Sequence, residues 1–311
     1  MLRIVFMGSP EFAVPTLEAL VAHPDCEVCA VVTQPDKPAG RGKQLTPPAV
    51  KVCAQAHGIP VYQPEKLKTQ EMYDILTGIA PDFFVTIAYG KILRQAFLDI
   101  PKIAPLNLHA SLLPKYRGAA PVQWAILNGE TETGVCLMRM DAGMDTGPVY
   151  ARETVAIDPK ETPTTLFDKL SKVSAQILMQ HLFEIASGKL EPVAQQGEPT
   201  MAPMLDKSMG LVDFNQDARA LACRIRGLSG WPNAYTFCQG KRLVIHEADA
   251  IDDHCSAEPG TIVGLSNDKS LLVACKSGTL AIRSLQIEGK KRMDAESFFN
   301  GYKPAGSVLH S

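Results

Sequence analysis

The feature that most limits the fold of this chain is a regular alternation of short apolar runs and amphipathic segments through residues 1–188. Four apolar runs have the length and composition of buried strands: 2–8, 28–33, 83–88 and 104–109. The segments between them have helical spacing, and the longest, from Leu166 to Ile185, is followed by Gly188, a residue that commonly ends helices. Apolar strands separated by helices are typical of a parallel sheet covered on both faces. The sequence therefore predicts an α/β fold with a doubly wound, mostly parallel, Rossmann-like sheet.

A change of pattern after residue 188 predicts a second domain. Residues 189–206 contain prolines but no periodicity, which indicates a linker. Beyond them, a helical segment at 218–226 precedes short apolar runs separated by tight turns: 234–238, 243–246, 261–263, 271–275, 279–282 and 284–287. Short strands with tight turns are typical of a small closed barrel, of which the oligonucleotide-binding (OB) fold is one type. We therefore predict an OB-like barrel over residues 207–311.

The charge of the chain argues against strong global attraction to nucleic acids or membranes. The formal net charge is −2, although residues 207–311 carry 13 Lys+Arg against 11 Asp+Glu. This mildly basic second half permits an anionic partner without requiring one. The first strand-like run is followed by Gly8-Ser9-Pro10-Glu11, which is not G-x-G-x-x-G, and the sequence has no Walker motif. A dinucleotide or ATP site is therefore not expected.

The cysteines indicate a reducing compartment rather than a disulfide framework. Eight cysteines are scattered through the chain, and Cys26 and Cys29 have C-x-x-C spacing. No second pair follows, and this pair opens an apolar run, so we interpret both as strand residues and expect no metal ion. The sequence shows neither a signal-peptide pattern nor an apolar run of membrane-spanning length. We expect a cytoplasmic monomer without a membrane partner.

Three polar residues form a candidate active site: Asn107, His109 and Asp145. Asn107 and His109 end an apolar run, and residues two apart on a strand face the same side. Asp145 lies on the glycine-containing loop 141–147, which follows another strand-like run. Active groups in such sheets gather at the carboxyl ends of the strands, where we place all three. A lone histidine or a turn aspartate is more often structural, but the combination favours a functional site.

Amide, imidazole and carboxylate side chains together can catalyse acyl or one-carbon transfer to an amine. Asn107 and a protonated His109 can donate hydrogen bonds to the carbonyl oxygen under attack, and each such donor typically contributes ~3–4 kcal/mol. Asp145 can orient the imidazole and help to move protons. The sequence lacks a G-x-S-x-G nucleophile motif, and no second histidine has metal-ligand spacing to His109. We therefore expect neither a covalent enzyme intermediate nor a metal.

Two groups of cations are candidates for contact with a polyanion. Residues 34–44 form a loop rich in proline and glycine with three of them: Lys37, Arg41 and Lys43. In the second domain, five lie at predicted turns or strand ends: Lys241, Arg242, Lys290, Lys291 and Arg292. A solvated surface remains the alternative for both groups, because charged loops and turns are usually solvated.

Motifs spread over the whole chain resemble those of the methionyl-tRNA formyltransferases, a family within the folate-dependent formyltransferase superfamily. They are VFMGSPEFA from Val5, QPDKPAGRGK from Gln34, NLHASLLPKYRGAAP from Asn107, MDAGMDTG from Met140, RIRGL from Arg224, and Trp231-Pro232. The Asn/His/Asp pattern and the Ser-Leu-Leu-Pro stretch are shared across the superfamily, so they indicate the chemistry but not the acceptor. The loop at 34–44 and the second domain favour the tRNA enzymes. Ser9 stands where many members have Thr, which keeps the hydroxyl.

The resemblance implies transfer of a formyl group from 10-formyltetrahydrofolate to the α-amine of methionine on initiator tRNA, a step of translation initiation in protein biosynthesis. Residues 1–188 would be the catalytic domain, with Asn107, His109 and Asp145 in the catalytic positions. Arg41 matches the loop that approaches the acceptor stem, and residues 207–311 match the tRNA-binding barrel. The expected folate contacts are the matching segment and two residues that follow the run at 83–88: Ser111, Leu112, Leu113, Pro114, Tyr89 and Gly90.

Two other functions remain open. A formyltransferase acting on glycinamide ribonucleotide or an amino sugar would share the central site, although the basic loop and barrel would then lack a purpose. A tRNA-binding protein without catalysis is the alternative from another class, and the presence of Asn107, His109 and Asp145 weighs against it.

Overall fold

The computed structural model describes residues 1–39, 44–253 and 255–310, and the chain divides into two compact units. The first comprises Met1–Pro121, Glu132–Ala156 and Phe167–Pro203; the second comprises Val122–Thr131, Ile157–Leu166 and Met204–Ser311. Two short segments that precede residue 188 therefore belong to the second unit, which the change of pattern after that residue does not indicate.

The first two-thirds of the chain alternate between strands and helices. The strands are β1 (Leu2–Gly8), β2 (Cys26–Val32), β3 (Lys37–Ala39), β4 (Gln44–Thr46), β5 (Val61–Tyr62), β6 (Phe83–Ile87), β7 (Ala104–His109), β8 (Glu132–Arg139) and β9 (Val149–Ala156). The helices are α1 (Val14–Ala22), α2 (Ala49–Ala56), α3 (Gln70–Ile79), α4 (Gln95–Leu98), α5 (Pro121–Leu127) and α6 (Pro163–Ala186).

The main sheet has the strand order β5-β2-β1-β6-β7-β8-β9. Its first five strands are parallel, whereas β8 and β9 are antiparallel to their neighbours. The central strands β1 and β6 are almost entirely buried, as expected when both faces of a sheet are covered. The prediction of a doubly wound, mostly parallel sheet is confirmed, and Cys26 and Cys29 lie on β2 as predicted.

Local sequence signals explain how several helices begin and end. Pro15 lies in the first turn of α1, where its missing N–H costs no hydrogen bond. The hydroxyl of Thr69 caps α3 by accepting a hydrogen bond from the backbone of Met72 at 3.2 Å. Gly188, with a φ of +69°, follows α6 in the left-handed conformation that ends helices. In the described part of the chain, no helix combines the length and apolar character needed to cross a membrane.

The second unit contains the other elements: α7 (Ala218–Gly227), β10 (Ala234–Cys238), β11 (Lys241–Ile251), β12 (Ile262–Leu265), β13 (Leu271–Ala274), β14 (Thr279–Ile287), β15 (Met293–Asp294) and α8 (Ala295–Tyr302). The antiparallel strand order is β10-β11-β14-β13-β12, with β15 on β14. The final residues bond to both edge strands, because His310 exchanges backbone hydrogen bonds with Phe237 and Ser307 accepts one from Ile262. An antiparallel, strand-rich second domain is therefore confirmed, while its OB-like character stays a prediction.

Two details of the second unit differ from the sequence prediction. The strands predicted at 279–282 and 284–287 are one continuous strand, β14. The polar residue Arg283 interrupts the apolar pattern because it is exposed and bonds to Asp249 across the ladder. The apolar pattern also does not predict the short helix α8, although its first turn is capped by Asp294, which accepts a hydrogen bond from the Ser297 backbone.

Candidate active site

The end of β7 places the two predicted side chains Asn107 and His109 on one face of the sheet. Asn107 is half-buried between Thr86 of β6 and Met138 of β8, its partners in the sheet. His109 is only 6% exposed. The alternation of side chains along a strand thus puts an amide and an imidazole side by side, as the sequence predicts.

The backbone after β7 fixes the orientation of the His109 ring. Its Nε2 lies 2.9 Å from the carbonyl oxygen of Tyr116. A carbonyl oxygen can only accept a hydrogen bond, so Nε2 carries a proton and donates the hydrogen bond to Tyr116. The other nitrogen, Nδ1, is 3.6 Å from Asp145 Oδ2, a contact that becomes an ion pair when the ring is protonated.

Asp145 reaches His109 by a route that the sequence pattern does not predict. Strand β8 runs antiparallel to β7, with Arg139 opposite Leu106 and Cys136 opposite His109. Its carboxyl end therefore lies beside the start of β7, so the expectation that Asp145 and His109 follow strand ends at the same edge was wrong. The two residues meet because the loop 141–147 carries Asp145 across to the end of β7.

The Asp145 carboxylate is held on two sides. Its Oδ2 accepts a hydrogen bond of 2.9 Å from the backbone N–H of Gly118 and faces His109. The backbone of Asp145 is in the left-handed region, with a φ of +54°, which is uncommon for a residue other than glycine. Such a conformation persists when surrounding contacts over-determine it, and it is frequent at functional sites.

A cavity opens beside these groups. Its lining combines apolar thioethers with an amide and two carboxylates: Asn107, Met138, Met140, Asp141, Gly143 and Asp145. Asn107 and Asp145 thus face the same space, and His109 reaches that space through its contact with Asp145. A hydrogen-bond donor and a base held around one cavity can serve a proton-coupled attack on a carbonyl group.

The predicted folate-contacting segment leads into a tight turn that follows β7. Ser111 is fully buried, and its hydroxyl donates a 2.6 Å hydrogen bond to the Lys115 carbonyl oxygen. Leu113 packs with Cys136, Met138 and Val149 in a small apolar cluster. Contact with folate stays a prediction for Ser111, Leu112, Leu113 and Pro114, and the structure adds a local role, which is to carry the chain to the Tyr116 carbonyl that binds His109.

The two residues predicted near the end of β6 differ in exposure. The Tyr89 side chain is 2% exposed within the core of the sheet, and burial raises the pKa of its phenol to about 12. Its hydroxyl has no hydrogen-bond partner among the described residues. Gly90 is exposed and adopts a φ of +76°. A folate contact from either residue stays a prediction.

Residues that sequence reasoning missed complete the site. Arg117 and Gly118 lie within the motif that begins at Asn107, but the sequence pattern assigns neither of them a function. Gln195 lies in the predicted linker. Gln195 bonds both to the Arg117 side chain and to the backbone of the Asp145 loop. No local signal marks Gln195, because its partners are 48 to 78 positions away in the sequence.

The basic loop at 34–44 is anchored at its base. Lys37 is exposed on β3, whereas Arg41 and Lys43 lie outside the described residues. Asp36 forms an ion pair of 2.8 Å with Lys51 and accepts a 2.7 Å hydrogen bond from Gln63. These two contacts, with Gln63 first, lower the pKa of the Asp36 carboxyl group. The loop therefore begins from a fixed point, and tRNA binding by its cations stays a prediction.

The structure brings the two basic pairs of the second unit to the same end of one ladder. Strand β11 begins with Lys241 and Arg242, and it pairs with the end of β14, after which Lys290 and Lys291 follow. All four are exposed. The guanidinium carbon of Arg242 lies 3.9 Å from the centre of the Tyr235 ring.

Arg292, the fifth predicted cation, is more constrained than these four. It donates to the Ser284 hydroxyl at 2.6 Å and lies 3.6 Å from Glu247. Part of its charge is therefore offset within the protein.

Three residues of types that can bind metal ions lie close together elsewhere in the first unit. In the part of the chain that the structure describes, Glu18, Cys53 and His57 bring one donor atom each within 4.8 Å of one another. Burial, followed by the neighbouring Glu18, raises the pKa of Cys53 to about 11, which works against a thiolate ligand. Glu18 lies on α1, Cys53 lies on α2 and His57 follows α2, so none of the three belongs to the candidate active site.

Family models cover most of the chain. The model described as formyl transferase matches residues 2–182, and the model described as formyl transferase, C-terminal domain matches residues 204–303. A protein of Citrifermentans bemidjiense named methionyl-tRNA formyltransferase is 47% identical over 303 residues, covering 97% of this chain and 94% of the relative. The protein of the same name from Geobacter sulfurreducens is 45% identical over 318 residues, covering 99% of each chain.

Solved structures show the same fold at lower identity. WlaRD, a sugar 3N-formyl transferase, superimposes with a TM-score of 0.68 at 19% identity, covering 94% of this chain and 99% of its own. HypX from Aquifex aeolicus in complex with tetrahydrofolic acid gives a TM-score of 0.59 at 16% identity; the match covers 96% of this chain but only 47% of HypX. At these identities the likeness shows the fold alone.

Proposed function

Because this chain belongs to the formyl transferase family, we propose that it transfers a formyl group from 10-formyltetrahydrofolate to the α-amine of methionine on initiator tRNA. The observation that carries this proposal is the 47% identity, over 97% of the chain, with a protein named methionyl-tRNA formyltransferase. Residues 1–188 serve as the catalytic domain, 189–206 as the connection and 207–311 as the tRNA-binding domain. The protein acts in the cytoplasm as a monomer without a metal ion.

In this proposal, Asn107 stabilises the negative charge that develops on the formyl oxygen. Asn107 lines the cavity, and its backbone is fixed in the sheet between β6 and β8, so the residue needs little reorganisation during the reaction. A preorganised donor of this kind typically lowers the activation free energy by ~3–4 kcal/mol.

Asp145 and His109 handle the protons in this proposal. The Asp145 carboxylate lines the cavity; it accepts the proton that the attacking amine loses and returns it to the folate nitrogen, which departs as its bond to the formyl carbon breaks. His109 lies behind it as a charge partner, with Nδ1 3.6 Å from Oδ2. Direct donation from His109 Nε2 to the formyl oxygen would require the ring to release the Tyr116 carbonyl, which it contacts at 2.9 Å. We therefore assign hydrogen bonding to the formyl oxygen to Asn107 and proton transfer to Asp145, which both line the cavity.

The lining of the cavity is compatible with a folate co-substrate. Met140, which is half-buried, offers polarisable apolar contact for part of a flat ring, while Asn107 and Asp141 offer polar groups for its edge. When bound, the co-substrate supplies an activated carbonyl group. Exposed cations at Lys37 and at the end of the β11–β14 ladder support binding of a polyanionic acceptor.

A formylation assay with rival acceptors tests the proposal. The protein is incubated with 10-formyltetrahydrofolate and one acceptor: methionyl initiator tRNA, free methionine, glycinamide ribonucleotide or an amino-sugar nucleotide. We expect formyl transfer to the tRNA at a kcat/KM far above that for the others. Preferential formylation of a small acceptor would overturn the choice of substrate, and tRNA binding without any formylation would overturn the enzymatic proposal.

A further inference from the structure

Gln195 forms a hydrogen-bonded bridge between two parts of the candidate active site. Its Oε1 accepts hydrogen bonds from Arg117 Nε at 3.2 Å and Nη2 at 2.7 Å. Its Nε2 donates to the backbone carbonyl oxygens of Asp145 and Gly147, both at 2.8 Å. Both polar atoms of this amide are therefore engaged in holding other parts of the protein.

The segment around Gln195 is itself fixed to the first unit. Val193 exchanges backbone hydrogen bonds with Val149, at the start of β9. Further along, Thr200 accepts a hydrogen bond from the Arg117 backbone N–H at 2.8 Å, and Ala202 donates one to the Arg117 carbonyl at 2.7 Å. Residues 193–202 thus form a strap that is bound at both ends, although they belong to neither a helix nor a strand.

The bridge acts on the backbone of the loop that carries Asp145. Asp145 has a φ of +54°, a conformation that is uncommon for residues other than glycine, and the two hydrogen bonds from Gln195 support this part of the backbone. The carbonyl oxygens that Gln195 binds flank Thr146, so the two hydrogen bonds fix the peptide planes after Asp145. Arg117 completes the bridge from the turn that also carries Tyr116 and Gly118, the backbone partners of His109 and Asp145.

We propose that Gln195 is a positioning residue for formyl transfer: it clamps the backbone of the Asp145 loop to Arg117 and so holds the Asp145 carboxylate against His109. This inference rests on the proposed function. Without the clamp, the Asp145 backbone relaxes towards an ordinary conformation and the carboxylate leaves its place beside the cavity. Misplacement of a reacting group by about 1 Å can cost roughly 100-fold in rate.

Gln195→Met tests the clamp, because methionine has a similar length and no strong donor or acceptor. We expect kcat for formylation of methionyl initiator tRNA to fall roughly 100-fold. The KM values for the tRNA and for 10-formyltetrahydrofolate should change little, since the substrate-binding groups remain in place. The neighbouring Gln196 is exposed, and Gln196→Met provides a matched control that should behave as wild type. A wild-type kcat for Gln195→Met would overturn the inference.

Gln195→Glu separates the two halves of the clamp. It keeps an acceptor for Arg117 but loses the donor to the Asp145 and Gly147 carbonyl oxygens, so it should fold as well as wild type and still lose kcat. Retention of wild-type kcat by this variant would contradict the inference. Its melting temperature shows whether a low rate reflects unfolding rather than a misplaced carboxylate.

A double-mutant cycle with Asp145→Ala decides whether Gln195 acts through Asp145. If it does, Gln195→Met should reduce kcat little further once the carboxylate is absent, so the two losses do not multiply. Multiplying losses would assign Gln195 an independent, structural effect and overturn the inference. Failure of the wild-type protein to formylate tRNA would instead refute the proposed function, so the two failures are distinguishable.

Discussion

The groups proposed for the chemistry and the groups proposed for tRNA binding are held in opposite ways. His109 is 6% exposed and bonded to the Tyr116 carbonyl, and the Asp145 carboxylate accepts the Gly118 N–H. Lys290 and Lys291, by contrast, are exposed beyond the end of β14. A preorganised site loses activity when any one of its groups is removed, whereas exposed cations attract an anion through their summed electrostatic potential. Single substitutions should therefore have large effects in the first region and small, salt-dependent effects in the second.

The largest effect is expected at Asn107. Asn107→Ala removes the amide that lines the cavity, so kcat for formyl transfer should fall by roughly 100- to 1,000-fold, the usual cost of losing an oxyanion donor. Steady-state kinetics with methionyl initiator tRNA measure this loss, and Asn300→Ala, at an exposed position on α8, serves as the control. A loss of less than about tenfold would remove Asn107 from the chemistry.

His109→Ala should have the next largest effect. Removal of the charge partner behind Asp145 should lower kcat by roughly 100-fold, in the range typical of general acid–base groups. Because His109 is nearly buried, tRNA affinity should hardly change. Filter binding of tRNA at fixed salt checks this second half. A large loss of affinity would show that the histidine is structural and that the contrast between the two regions fails.

The cations of the second unit should give a smaller and graded response. Lys290→Ala combined with Lys291→Ala should weaken tRNA binding and lower the slope of log K against log salt by about 1 for each phosphate that is no longer neutralised. The rate at saturating tRNA should stay near wild type. Lys172→Ala, at an exposed position on α6, is the matched control. An unchanged salt slope in the double variant would show that these lysines belong to a solvated surface.

The same contrast separates what the sequence could predict from what it could not. Strand burial and helix periodicity are local patterns, so β1, β6 and α6 follow from nearby residues, as does the pairing of Asn107 with His109 on one face of β7. The residue types of the site were also recognisable, because a motif carries them. The contacts that each side chain makes could not be predicted in the same way.

The missing parts depend on contacts between distant segments. The direction of β8 is set by its pairing with β7 and not by its own composition, so the route of Asp145 to His109 could not be predicted. Residues 193–202 have no periodicity because they form a strap rather than an element, and hydrogen bonds to Arg117 and Val149 hold them. The sequence therefore names the groups proposed to react but gives no sign of Gln195, which bonds to the Arg117 side chain and to the backbone of the Asp145 loop.

The smallest expected effect concerns Asp36, which bonds the base of the loop at 34–44 to Lys51 and Gln63. Gln63 and Lys51 lower the pKa of Asp36 from its ordinary 3.8, so its ionised form is favoured in the folded protein. Because the pKa of Asp36 is lower in the folded state than in the unfolded state, its carboxylate stabilises the folded protein at pH values above the unfolded pKa. This stabilisation is lost as pH falls through the folded pKa. Asp36→Asn should therefore lower the melting temperature at neutral pH.

The acid dependence of this difference provides the check. As pH falls below 3.8, the melting temperatures of wild type and Asp36→Asn should converge, because protonation removes the same charge that the substitution removes. Lys51→Met should reproduce the neutral-pH loss, and the double variant should lose little more than either single one, since both changes break one ion pair of 2.8 Å. A difference that persists unchanged in acid would mean that the contact acts through packing, and the base of the loop would then belong with the preorganised region rather than with the exposed cations.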